Sequence, residues 1–165
     1  MKRFLIIIAL LQLALPAGLS QSRPCLRIMP IEELTRNAAF IARVKVVRAE
    51  DVNKRGPFGQ IALLQPVDVI DGDFTLKQLN VAARSNVRCA EDEYRQGQDM
   101  LVFLITDGGL FRTLNFQYGR FEISGELVRG WRDKTNKVVD KPYAEVRKEI
   151  ENILNPATSR GVLSE

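Results

Sequence analysis

The chain contains no histidine and only two cysteines among its 165 residues. The first absence excludes Ser-His-Asp and Cys-His nucleophile systems, which need an imidazole. Both together exclude zinc sites built from His and Cys. No Walker loop and no GxGxxG stretch occurs, so the common glycine-rich phosphate cradles are missing as well. Long Lys/Arg blocks are also missing, and charge signs alternate through Glu91-Asp92-Glu93-Tyr94-Arg95. A nucleic-acid binder would concentrate its basic residues on one face, so nucleic acid is not an expected partner. No catalytic residue, metal or cofactor is expected. What remains is an ordinary globular composition: 45% hydrophobic, 27% charged and 7% aromatic.

Residues 1–20, MKRFLIIIALLQLALPAGLS, have the layout of a secretory signal peptide. Lys2 and Arg3 supply the positive start, and Phe4 to Leu15 form an apolar run broken only by Gln12. That run is about a dozen residues, against roughly 20 for a bilayer span. Gly18 and Ser20 favour cleavage before Gln21. The expected product is secreted or periplasmic, with no integral membrane segment after cleavage. Loss of Lys2 and Arg3 lowers the net charge from +4 to +2. Cys25 and Cys89 both lie in the exported part. In an oxidising compartment, an even pair reads as one disulfide closing a 64-residue loop between positions 25 and 89.

Pro30 to Thr35 predicts a short helix, with proline and two glutamates suited to its first turn. Ala39 to Val47 alternates with the period of a half-buried strand. A second strand is expected over about 60–70, with Pro66 marking an edge or a bulge and Asp71-Gly72-Asp73 a turn. Leu79 to Ala83 alternates again. The unbroken apolar run Met100 to Ile105 suits a strand covered on both faces, or one closing a barrel. Asp107-Gly108-Gly109 and Ser124-Gly125 each predict a hairpin turn. Tyr143, Val146, Ile150 and Ile153 form one apolar stripe of a C-terminal helix, stopped by Asn155-Pro156. The expectation is five to seven short strands with a helix at each end. The domain is expected over 21–156, followed by a flexible tail at 157–165.

In this order the features resemble the netrin-like module of tissue inhibitors of metalloproteinases. The shared features are a cysteine near the mature N-terminus, a short helix and the opening strand from Ala39 to Val47. They continue with a second strand ending at Gly72, a segment carrying Cys89, the run from Met100 to Ile105, and residues 117–123 with Tyr118, Gly119 and Phe121. The resemblance covers about residues 25–131. It implies a mainly β fold, an OB-like antiparallel β-barrel with a short N-terminal and a C-terminal helix. It also implies that Cys25 and Cys89 match the pair tying the family's N-terminus to its barrel. Two departures bear on activity. The family's second cysteine is Arg27 here, and Gln21 to Pro24 stand before Cys25, whose free amine would otherwise chelate a protease zinc.

The function expected is therefore a non-catalytic, monomeric binding module for an unknown protein or envelope ligand. From other OB-type barrels, the binding surface is expected on the barrel face and its loops. Lys54, Arg55, Phe58 and Trp131 are the binding candidates. Protease inhibition through the N-terminal segment is the alternative. A hydrolase built on Glu91, Asp92, Glu93 or Asp107 is the third reading.

Overall fold

The computed structural model describes residues 26–52, 56–133 and 135–156. The leader, Cys25, Lys54, Arg55 and the tail lie outside the described residues. Helix α1 (Ile31–Asn37) starts after Pro30, with Glu32 and Glu33 at its positive end and Ile31 and Leu34 buried. Strands β1 (Phe40–Asp51), β2 (Phe58–Asp71), β3 (Leu79–Ser85), β4 (Asp99–Asp107) and β5 (Leu110–Thr113) follow. They close into a five-stranded barrel of order β1-β2-β3-β5-β4-β1, in which only β3 and β5 run parallel. This is the mainly β barrel with two flanking helices that the sequence predicts.

Closure depends on β1, which pairs with β2 from Ile41 to Asp51 and with β4 from Phe40 to Lys45. Three register irregularities between Ile41 and Arg48 accompany this double duty, as bulges bend a strand and raise its twist. Pro66 sits opposite Val44, beside one of them, and beyond Leu64, where pairing of β2 with β3 ends. No ladder donor is needed there. At the far end of β2, Gly72 has φ +107, and a Cβ on it would lie 2.6 Å from the Phe40 ring. Gly108 and Gly109, both at positive φ, make the two-residue β4–β5 turn.

The inward residues of the barrel form one core: Phe40, Ala42, Val44 and Val46 meet Leu64, Val81, Met100, Val102 and Leu104. The opposite parity of β1 and β4 feeds a second core outside the barrel wall. There Ile41, Leu101 and Phe103 meet α1 and a layer made of β6 (Arg120–Ser124), β7 (Leu127–Arg132), β8 (Val138–Pro142) and α2 (Tyr143–Leu154). The apolar run in β4 is thus covered on both faces. Helix α2 buries Tyr143, Val146 and Ile150, with Ile153 packed beside them. Eight strands occur among the described residues, one more than the upper expectation. The added one is β8, whose exposed-and-half-buried alternation carries little apolar signal. Of the strand expected over 117–123, the first part is a 3-10 turn, Phe116–Gly119.

Trp131 requires a correction. It is 0% exposed, centred in the second core with its ring 5.0 Å from Phe121, and presents no surface to a partner.

Candidate ligand-binding surface

The second core takes residues from β1, β2, β4, β6 and β7 but none from β3 or β5. One wall of the barrel is therefore covered by the layer of helices and strands β6 to β8, which reaches β2 at Ile70, and the wall formed by the Phe58–Leu64 half of β2 with β3 and β5 is not among the surfaces that core covers. At the end of that wall, where β1 leads into β2, lies a cleft of about 410 Å³. Asp51, Val52, Phe58, Arg84, Ser85 and Asn86 line it. Phe58 is half-buried, with the Arg112 guanidinium 5.9 Å from its ring. Asn86 holds the hairpin base through Nδ2 to the Gly56 carbonyl at 2.9 Å.

Arg84 is the hinge between this cleft and a second one. Its backbone is left-handed, φ 52, and its guanidinium bridges Asp51 at 2.9 Å and Glu93 at 3.1 Å. The hydrogen bonds to those carboxylates raise its pKa above the ordinary arginine value. The second cleft, about 450 Å³, is lined by Arg84, Glu91, Asp92, Glu93, Arg95 and Arg120, among others. Its wall is the β3–β4 connection, a loop held by side chains from distant elements. Gln60 on β2 brackets Tyr94, donating to its carbonyl at 3.1 Å and accepting from its N–H at 2.8 Å. Gln117 does the same across Cys89 O and Glu91 N, at 3.1 and 3.0 Å. Arg120 donates to the Glu91 and Glu93 carbonyls and lies 5.0 Å from the Tyr94 ring centre. Tyr94 is buried, its hydroxyl 2.6 Å from that of Thr113, and burial pushes its pKa up.

Of the predicted binding residues, Phe58 alone reaches the cleft among the described positions. Lys54 and Arg55 fall outside them, and Trp131 is core. Cys25 also falls outside. Cys89 is described, has φ 67 and is not free. The carboxylates do not form one group. Asp92 is 1% exposed and accepts from Ser85 N at 3.0 Å, so it is not the solvated turn residue its neighbours suggest. Glu93 is tied to Arg84. Asp107 pairs with Arg112 at 3.5 Å, on the β4–β5 hairpin. Among the described residues, no three acidic, His or Cys side chains are grouped to hold a metal ion. No helix among them is long and apolar enough to cross a membrane.

Arg84, Gln60, Gln117 and Arg120 are the site residues that sequence reasoning missed. Each acts on chain 9 to 34 residues away, which local periodicity does not register. The chain matches no protein-family model, no curated protein and no solved structure.

Proposed function

We propose that this chain is an exported, non-catalytic binding module of netrin-like type, stapled by a Cys25–Cys89 disulfide. Its partner, a protein or envelope ligand, contacts the barrel mouth around Phe58 and Arg84. The observation that carries this reading is the asymmetry of the barrel. One wall is packed under helices and strands β6 to β8, and the β2–β3 side ends in a preformed cleft with an aromatic floor and a charged rim. Such clefts bind by shape, with a few polar groups fixing orientation. The clamped β3–β4 loop adds to this, because a preordered surface loses little entropy on binding. The ionised groups at the rim, Asp51 and Arg84, are paired with one another, as in a recognition surface.

The test is capture of ligand from the native envelope fraction by mature protein, compared with Phe58→Ala and Arg84→Gln. Material retained by wild type and lost from both variants, with melting temperatures unchanged, supports the mouth as the site. Equal retention by all three overturns it.

A further inference from the structure

Strand β7 contains a bulge. Val128 pairs with Lys141 and Trp131 with Val139, so three steps along β7 match two along β8. Gly130 supplies the left-handed residue, φ 69, and its N–H is fixed by Asp140 at 3.1 Å. In a regular strand, positions 129 and 132 would face opposite sides. The extra residue instead keeps Val128 and Trp131 both in the core and turns Arg129 and Arg132 to the same outer face. There, with Tyr118, Arg120, Glu122 and Val138, they line a cleft of about 320 Å³.

Charge in this cleft is not balanced. Arg129 is paired with Asp140. Arg120 and Arg132 have no ion pair among the described residues and donate only to main-chain carbonyls, those of Glu91 and Glu93 for Arg120 and that of Asn136 for Arg132. Glu122 makes no ion pair among the described residues either. Three arginines against Glu122 and the Asp140 paired with Arg129 leave the cleft and its rim at +1. Carbonyl bonds neutralise nothing, but they hold the guanidinium forks in place. Each guanidinium has five donors, so donors remain for a ligand.

We propose that this cleft is an anion site for a phosphate group, the planar guanidinium forks of Arg120 and Arg132, free of carboxylate partners among the described residues, being matched to tetrahedral oxyanions and the surplus positive charge to an anion. It is separate from the barrel mouth and stands or falls independently of it. Amide and arginine side-chain resonances of the folded protein, titrated with inorganic phosphate against a chloride control of equal ionic strength, test it. Saturable shifts at Gly130 and Arg132 are expected, weakened about tenfold or more by Arg132→Gln and by Arg129→Gln, since each loses charge-assisted hydrogen bonds. Arg27→Gln, at an exposed pair with Glu33, leaves the shifts unchanged. Arg120 is kept intact because it also clamps the β3–β4 loop. Sedimentation with phosphatidylglycerol and phosphatidylcholine vesicles separates sources. Phosphate binding with selective phosphatidylglycerol binding assigns a lipid headgroup, and phosphate binding without it a soluble phosphate. Shifts no larger than the chloride control, or shifts that survive the Arg129→Gln/Arg132→Gln double variant, overturn the site.

Discussion

Gln60 makes two bonds that no other residue can replace. Its amide satisfies both the N–H and the carbonyl of Tyr94, and both groups are buried. Gln60→Leu keeps the bulk but leaves two main-chain groups unsatisfied. A loss of about 2–6 kcal/mol in urea denaturation at neutral pH is expected, at roughly 1–3 kcal/mol for each of the two groups. Gly119 illustrates the opposite constraint, of space rather than bonding. A Cβ there would fall on the Leu114 carbonyl oxygen, so Gly119→Ala forces the backbone and costs about 3 kcal/mol or more, readable as a fall in melting temperature. Neither residue announces itself in the sequence. Within the run Glu91 to Arg95 only Asp92 and Tyr94 are buried, and the groups that bond them, Ser85 N–H and the Gln60 amide, come from elements that local charge alternation does not register. What was legible at this scale is what acts locally, such as Gly72 at a turn, Pro66 where no donor is required, and Gly108-Gly109 in a hairpin.

Helix α2 is bound to the barrel by its apolar stripe and by a polar seam. Tyr143 donates to Asp68 at 2.8 Å and Arg147 meets the same carboxylate at 3.1 Å. Beside them, Asp99 accepts from Arg43 and Lys45, both at 2.9 Å, while the Arg43 guanidinium lies 5.1 Å from the Tyr143 ring centre. Burial raises the tendency of Asp99 to protonate. The hydrogen bonds and charges of Arg43 and Lys45 outweigh it, holding the carboxyl below its ordinary range. A folded-state pKa below the unfolded one means stability present above pH about 4 and lost as pH falls through the folded value. Asp99→Asn is therefore expected to cost about 1–3 kcal/mol at pH 7, and the gap to wild type to narrow as pH falls below about 4, measured by urea unfolding at neutral and at acid pH. Ile150→Asp, which places a charge in the second core, should cost several kcal/mol. A melting temperature within a degree or two of wild type would show that α2 is not held as described. The amphipathic stripe made α2 legible from sequence, alternation revealed β1, and an unbroken apolar run revealed β4. Strand β8 was not legible, since its pairing with β7 rests on main-chain bonds and on Val139 alone reaching the second core.

At the scale of the whole molecule, the proposed staple dominates. A bridge between positions 25 and 89 would remove the freedom of a 64-residue loop from the unfolded chain. That is worth about 4 kcal/mol in the chain-entropy account. Intact mass before and after reduction and alkylation should differ by two thiols, with none reacting beforehand, and replacing both cysteines with serine should lower the melting temperature by several degrees. Two thiols alkylated without reductant would remove the staple from the proposal. The barrel order itself was not legible, because strand periodicity carries no information on which strands are neighbours.

The double pairing of β1 also bears on how fast the molecule can form. Lys45 meets Asp99 and Phe40 meets Leu104, contacts separated by 54 and 64 residues, and β3 joins β5 in parallel. The hairpins between consecutive strands, β1–β2, β2–β3, β4–β5, β6–β7 and β7–β8, can assemble locally, but they do not close the barrel before these distant partners arrive. Until then, Ala42, Val44 and Val46 have no opposing wall. Refolding dominated by such non-local pairing belongs in the millisecond-to-second range rather than the microsecond one. Stopped-flow fluorescence of Trp131, which is buried only when the β4 wall and the helical layer meet, would time that closure.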